Sequence, residues 1–448
     1  MSAAPVPIVR TFGCVALAAL VWSAAPGPDV QRAGLGLFVL IGALWMTQAL
    51  PLAVTALLVP VLAALAGVLE VREAFRSFAH PVIFLFLGGL ALAAALQRHG
   101  LDRALALAIL GLSGASRARA ALLLFALTAG LSMWISNTAA AALMLPLALG
   151  LLARSDGAPP DVRQATFLLL GLAYSASLGG IATLVGSPPN AIAAAHAGIG
   201  FAQWMAIGLP VSLLMLVAMV AVLYLTLRPP LDGEFAVERT RFEWTAGRRR
   251  VVTIFALTVL CWIGGAPLGR WLGVGADLDS LVAVAALVAL VATGTLGWDD
   301  LQARVNWGVL LLFGGGLALS EAMGASGASR FLADALIEQL HGAPPILVIA
   351  AVVAFVIFLT ELVSNTAAAA LLVPIFAGVG AALGLPPALL AVAIAIAASC
   401  AFMLPVATPP NALVYATERV PQTTMMRCGL LLNCAAIALI TPLVVWLA

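Results

Sequence analysis

Residues 134–146, Trp134-Ile135-Ser136-Asn137-Thr138-Ala139-Ala140-Ala141-Ala142-Leu143-Met144-Leu145-Pro146, recur as Leu362-Val363-Ser364-Asn365-Thr366-Ala367-Ala368-Ala369-Ala370-Leu371-Leu372-Val373-Pro374. In each copy a polar triplet interrupts an apolar run and an alanine block follows, alanine having the best intrinsic helix propensity. Each triplet therefore predicts a helix start. Ser and Asn are favoured N-caps, and a helix N-terminus offers free N–H groups and a positive dipole end to an anion. At membrane depth, the two triplets predict a pair of anion-binding tips.

The chain around them has 448 residues, 63% hydrophobic and 9% charged, where an ordinary soluble domain carries roughly 25% charged residues. Its apolar runs are about 20 residues long, enough for a helix to cross the hydrocarbon core, and they lack the short alternating segments of a barrel. The class is an all-α polytopic membrane protein. All 21 basic residues are Arg, and a net charge of +2 is too small and dispersed for a nucleic-acid partner. Cys14, Cys261, Cys400, Cys428 and Cys434 show no paired or metal-like spacing and read as small buried hydrophobes. The first 25 residues resemble a secretory leader, with Arg10 before an apolar stretch and Ser23-Ala24-Ala25 after it. The Pro26-Gly27-Pro28 turn that follows favours a retained first helix.

Outward from the first triplet, the pattern predicts helix one over 7–25, helices two and three over 33–68 with a break at Leu50-Pro51, and a fourth span after His80-Pro81. That span carries Gly88-Gly89-Leu90-Ala91-Leu92, and the charged helical stretch 98–113 suits the membrane interface. Residues 119–152 are too long for one span and broken in the middle, which predicts a hairpin entering and leaving by one side. A span from 164 stops at Gly186-Ser187-Pro188-Pro189-Asn190, and another covers 204–227. Adjacent prolines remove two N–H donors, so carbonyls near Leu184 and Val185 lose their partners and need a cavity, a cation or water.

The second half repeats the plan. Spans near 251–263 and 280–295 lead to one containing Gly315-Gly316-Leu317-Ala318-Leu319, offset by 227 from the first glycine pair. An interfacial stretch 328–340 precedes hairpin two, whose triplet is offset by 228 from the first, and a span from 387 stops at Ala407-Thr408-Pro409-Pro410-Asn411 before a last helix over 425–447. Five spans and one hairpin per half make the second half inverted. The expectation is about eleven transmembrane helices plus two re-entrant hairpins in an inverted repeat.

Residues 228–250 hold six Arg, which makes this loop cytoplasmic by the positive-inside rule. With the N-terminus in the cytoplasm and the C-terminus outside, sixteen Arg fall inside and five fall outside: Arg32, Arg72, Arg76, Arg270 and Arg330. The expected location is a bacterial-type inner (cytoplasmic) membrane, with hairpin one opening to the cytoplasm near Ala158 and hairpin two to the outside near Gly342.

Taken together, the doubled Ser-Asn-Thr hairpins and doubled Pro-Pro-Asn breaks resemble the divalent anion/sodium symporter family, also called the sodium/dicarboxylate or sodium/sulfate symporters. The resemblance covers about residue 33 to the C-terminus. It implies a homodimeric elevator transporter with scaffold helices one to four in 1–116 and seven to nine in 248–342. The two halves of the transport domain would be 117–228 and 343–448, with a cytoplasmic loop at 229–247. Carried over by motif, the first sodium site would use Ser132, Ser136, Asn137 and the backbone at Gly186. The second would use Thr360, Val363 and Asn365 with the backbone at Ala407. Substrate carboxylates would meet Ser136, Asn137, Thr138 and Ser187 from one half and Ser364, Asn365, Thr366 and Thr408 from the other. Hydroxyls, amides and carbonyls suit a hard cation and a carboxylate together. The implied activity is sodium-coupled symport of C4-dicarboxylates such as succinate, with Na⁺ as coupling ion and no other cofactor. A sodium-independent or proton-coupled exchanger of di- or tricarboxylates is the alternative, and the Pro-Pro-Asn form in both halves weighs against sulfate.

A single Ser-Asn-Thr is equally well a polar packing contact between helices, but two copies at one offset favour a site. The glycine clusters read as close-packing or bending points, and His80, His99, His196 and His341 as solvated residues at span ends. Glu361 is either a proton site or a partner within the hairpin stem lining water, the second being favoured. No His-Glu-x-x-His, Gly-x-Ser-x-Gly or Walker-type loop occurs, so hydrolysis and ATP-driven transport lack residues. Two occluding hairpins favour a carrier over a channel.

Overall fold

The structure, a computed structural model, describes residues 8–114, 116–152, 160–231, 243–274, 278–339 and 344–447. Arg154, Arg239, Arg241, His341, Ala158, Gly342 and most of the loop 229–247 lie outside the described residues.

Helix α1 (Ile8–Ala24) turns through Pro26-Gly27-Pro28 into α2 (Asp29–Thr47), which ends at Gln48 in the left-handed region, φ 49°. After Leu50-Pro51 the chain restarts as α3 (Leu52–Leu65), as the proline predicts, because the residue before a proline is steered away from helical geometry. A short α4 (Val71–Arg76) leads to α5 (Pro81–Arg98), where His80 Nδ1 accepts from Val82 N at 3.2 Å and caps the helix. Then α6 (Leu101–Leu110) precedes hairpin one, formed by α7 (Arg117–Ser132) and α8 (Asn137–Leu152). The first broken helix is α9 (Val162–Gly180) and α10 (Pro188–Ala197), followed by the long α11 (Phe201–Leu227).

The second half begins with α12 (Ala246–Ile263), α13 (Gly265–Leu272), α14 (Leu278–Ala292) and α15 (Trp298–Arg304), and continues with α16 (Trp307–Ala325) and α17 (Ala328–Gln339). Hairpin two is α18 (Pro345–Thr360) and α19 (Asn365–Ala382), and the second broken helix is α20 (Pro387–Ala398) and α21 (Pro409–Tyr415), before α22 (Gln422–Leu447). Several starts move earlier: α2 begins at Asp29 rather than 33, α11 at Phe201 rather than 204, α12 at Ala246 rather than 251, and α22 at Gln422 rather than 425. The short α4, α13 and α15 were invisible to the apolar pattern, since each is under nine residues and carries charge.

Among the described residues, five helices are at least 18 residues long and apolar enough to span a membrane, and seven shorter apolar helices of 10–17 residues accompany them. Half-length helices are what hairpins and interrupted spans produce. The outer helices turn large apolar side chains away from the protein, among them Val217, Leu225, Leu260 and Val288. Such faces meet acyl chains. By contrast α9 is buried at every residue from Gln164 to Gly180 and α20 from Leu389 to Ala398. The two helices that break are therefore the centre of the bundle.

The glycine pairs are packing points, and they are reciprocal. A Cβ on Gly88 would lie 2.6 Å from Ala283 Cβ of α14, and one on Gly315 would lie 2.5 Å from Ala56 Cβ of α3. Ala56 and Ala283 are themselves 227 residues apart, so each half lends a glycine to the other half's alanine. Small residues let backbones approach where lipid supplies no hydrophobic drive between helices. The same exchange occurs in the centre, where α10 packs on α20 and α21 on α9.

Candidate functional site

At the tip of hairpin one, Ser132 Oγ lies 2.7 Å from Asn137 Oδ1 and 2.6 Å from the Ala176 carbonyl of α9. A hydroxyl carries one proton, so three oxygens share it. Gly180 forms the floor beside them: a Cβ there would come within 3.1 Å of the Gly186 carbonyl and closer still to Asn137 Oδ1. Ser132, Asn137 and Gly186, expected as one cation set from the resemblance, are thus gathered around Gly180. Ser136, the fourth member, is turned to another task, its Oγ accepting from Ala139 N at 3.2 Å as an N-cap. Trp134 anchors the tip in an aromatic cluster, 6.1 Å from Phe201 and 5.0 Å from Phe255 between ring centres.

Hairpin two repeats the motif. Thr360 Oγ1 lies 2.6 Å from Asn365 Oδ1 and 3.1 Å from the Ala398 carbonyl. Thr360 and Asn365 of the second expected cation set are joined in this way, whereas no hydrogen bond ties Val363 or Ala407 to them among the described residues. Ser364 sits at the N-cap of α19 without a side-chain cap bond. The substrate candidates Ser136 and Thr138 are exposed, Asn137, Ser364, Asn365 and Thr366 half-buried, and Ser187 and Thr408 buried.

The breaks differ from the expectation. No hydrogen bond among the described residues reaches the Leu184 and Val185 carbonyls, as expected, but α9 already ends at Gly180 and so releases the carbonyls of Gly180, Ile181 and Thr183 as well. These three are not left open. Asn190 Nδ2 donates to Gly180 O at 2.8 Å and Thr183 O at 2.7 Å, and Trp204 Nε1 to Ile181 O at 2.9 Å. Asn411 Nδ2 does the same in the other half, to Ala401 O and Leu404 O at 3.1 Å each. Asn190 and Asn411 are 221 residues apart, and so are Gly180 and Ala401, and Thr183 and Leu404. Both asparagines are fully buried. Sequence reasoning gave the Pro-Pro-Asn motif to its prolines and missed the asparagine, although its recurrence was the available signal. Ser187 Oγ and Ser399 Oγ, 3.4 Å apart, bring the two breaks side by side.

Glu361 is the other missed arrangement. Its Oε1 accepts from Phe402 N at 2.7 Å, Met403 N at 2.9 Å and Asn433 Nδ2 at 2.8 Å, and its Oε2 from Leu404 N at 3.1 Å. The expected partner within the hairpin stem is replaced by the second break and α22. Tyr174 of α9 donates to Phe402 O at 2.7 Å from the same segment.

The three described histidines are half-buried and bond the main chain: besides the His80 cap, His99 Nε2 bonds Thr295 O at 2.9 Å and His196 Nδ1 bonds Ile192 O at 2.9 Å. Cys14, Cys400 and Cys428 are buried as expected, Cys261 is half-buried, and Cys434 is exposed on α22, contrary to the expectation. No group of three or more His, Cys, Asp or Glu side chains able to hold a metal occurs among the described residues. A cavity of about 530 Å³, lined among others by His80, Gln203, Trp262, Arg270, Asp279 and Ser280, contains none of the expected site residues.

Comparison with known proteins places the chain in a family. The citrate transporter (CitMHS) family matches residues 43–397. An uncharacterized transporter of Haemophilus influenzae is 44% identical, covering 93% of this chain and 92% of that one. The sodium-dependent dicarboxylate transporter SdcS of Staphylococcus aureus is 34% identical, over 90% of this chain and 83% of its own. The crystal structure of the YdaH transporter of Alcanivorax borkumensis is similar in fold, with a TM-score of 0.58 at 16% identity over 83% of this chain and 86% of that one. With recurring hairpin tips, stapled breaks and relatives spanning nearly its whole length, the chain belongs to the divalent anion transporter family and is an integral membrane transporter rather than an enzyme.

Proposed function

We propose that the protein is a sodium-coupled symporter of C4-dicarboxylates. The observation that carries this reading is the doubled oxygen cluster, Ser132–Asn137–Ala176 in one half and Thr360–Asn365–Ala398 in the other. Each cluster has three oxygens and one proton, an electron-rich cage suited to a hard cation, and each adjoins the N-terminus of a hairpin helix. Among the described residues the Nδ2 groups of Asn137 and Asn365 face no protein acceptor, which leaves them to a carboxylate. The candidate contacts Ser136, Asn137, Thr138, Ser187, Ser364, Asn365, Thr366 and Thr408 carry no positive side chain, so cations supply the charge that a dianion requires. The named SdcS relatives are sodium-dependent dicarboxylate transporters, in keeping with this substrate and ion.

The mechanism we infer is alternating access by an elevator. Hairpins, broken helices, α11 and α22 form the moving body within 117–228 and 343–448, against a scaffold in 1–116 and 248–342, in a homodimer with eleven spans and inverted halves. The reciprocal glycine contacts of α5 with α14 and α16 with α3 support a scaffold that is itself one rigid unit. The cytoplasmic N-terminus and external C-terminus follow from the arginine bias. Reconstitution into liposomes with labelled succinate, malate, fumarate, tartrate and citrate, with and without Na⁺, tests the reading. Saturable, Na⁺-stimulated succinate uptake with counterflow is expected. Equal uptake in choline would leave the sodium-independent exchanger, and non-saturating flux a channel.

A further inference from the structure

We propose that Glu361 is a positioning residue: its carboxylate binds the unwound segment Phe402–Leu404 to the tip of hairpin two and so builds the second cation site. The inference rests on the symport reading above and assigns that reading an element it did not contain. Four N–H donors converge on the two carboxylate oxygens, three from consecutive backbone positions and one from Asn433 on α22. Glu361 is 3% exposed, and among the described residues it has no ion-pair partner. Four donors from two elements thus meet on one side chain of the hairpin tip, which ties the tip to the break and to α22. The arrangement therefore fits a positioning role.

Its place in the site follows from its neighbours. Thr360, the preceding residue, holds Asn365 Oδ1 and the Ala398 carbonyl, while the segment Glu361 grips leads to Thr408. Releasing that grip separates the hairpin oxygens from the break. The first half has no such device: its counterpart at the 228 offset is Met133, whose main-chain carbonyl accepts from Thr183 Oγ1 at 2.5 Å. A single hydroxyl link thus secures site one and a four-bonded carboxylate secures site two, so the two cation sites are unequal. The titratable groups near Glu361 are Tyr174 on α9 and Cys400 after α20, and Cys428 on α22 lies near Tyr174 and Arg427.

The test uses the full chain, with Cys261→Ser, Cys428→Ser and Cys434→Ser introduced so that Cys400 reports on the segment and Cys14, buried at the other end of the chain, reports on global folding. In Glu361→Gln, maleimide labelling of Cys400 in choline is expected to accelerate by about tenfold or more while Cys14 stays protected, because local release opens one unit only. In liposomes the Na⁺ concentration for half-maximal succinate uptake is expected to rise about tenfold, the equivalent of one lost hydrogen bond, with KM for succinate at saturating Na⁺ within about threefold. Asn433→Leu, which removes one donor of four, is expected to shift both readouts in the same direction by less. Unchanged Cys400 protection overturns the positioning role, and an unchanged Na⁺ dependence overturns its link to site two. Uptake driven by a proton gradient in the wild type, lost in Glu361→Gln with counterflow intact, makes Glu361 a proton carrier and overturns the proposal. Wild-type uptake equal in Na⁺ and choline would refute symport alone, since the labelling in choline still reads the tether.

Discussion

Replacing Asn190 by alanine removes the staple that closes the first helix break. Its Nδ2 bonds two main-chain carbonyls, Gly180 O at 2.8 Å and Thr183 O at 2.7 Å, in a site with no exposure. Gly180 O is then left unpaired at about 1–3 kcal/mol and Thr183 O keeps only the Gly186 N–H at 3.4 Å, so the variant should lose about 2–4 kcal/mol. That is a large share of the roughly 5–15 kcal/mol by which domains are stable. Asn190 Oδ1, buried with no hydrogen-bond partner among the described residues, leaves with the side chain, and its removal offsets part of the loss. Asn411→Ala should cost less, toward the ~2 kcal/mol end, since its two bonds are longer at 3.1 Å. Reversible unfolding in mixed micelles measures both, and uptake by the folded fraction shows whether the break keeps its shape. Losses below about 0.5 kcal/mol for both variants, with normal uptake, would refute the staple.

Asn137→Ala and Asn365→Ala should each abolish succinate uptake while leaving folded protein in the membrane, because each asparagine offers an oxygen to a cation and an amide to a carboxylate; near-normal uptake by either would make the tips structural. Gly180→Ala should raise the Na⁺ requirement about tenfold or more at unchanged expression, since its Cβ would press on the Gly186 carbonyl and Asn137 Oδ1. A Na⁺ titration of uptake checks this, and wild-type behaviour would show that the oxygens around Gly180 hold no cation.

Much of this architecture is written locally. The alanine blocks after each Ser-Asn-Thr start α8 and α19 where propensity and capping say they should, and Pro51, Pro81, Pro188 and Pro409 mark real interruptions. The hydroxyl five residues before each asparagine, Ser132 and Thr360, came from family resemblance, and the structure supplies its physics: one proton among three oxygens. What stayed hidden is long-range. Where α9 ends depends on Asn190 and Trp204 reaching back to released carbonyls, so proline rules alone place the break too late. Glu361, Tyr174 and Asn433 meet across three elements, and a lone polar residue in an apolar run says nothing of which partner it will find. Short charged helices such as α13 and α15 carry too few turns for a periodic pattern.

On the symport reading, bound cations rather than protein side chains neutralise the substrate. A buried uncompensated ion costs several kcal/mol even after relaxation, and a helix N-terminus returns only about 0.3–1 kcal/mol when exposed and up to ~2 when partly buried. Helices α8 and α19 begin at the two tips, which offsets part of the charge of a dianion. The remainder falls to Na⁺, and linkage requires substrate to raise Na⁺ affinity by the same factor. Calorimetric binding of succinate in Na⁺ and in choline measures this directly. Affinity that falls by at least about a hundredfold in choline, some 2.7 kcal/mol, is the predicted result; equal affinity in both would contradict the account and favour the sodium-independent exchanger.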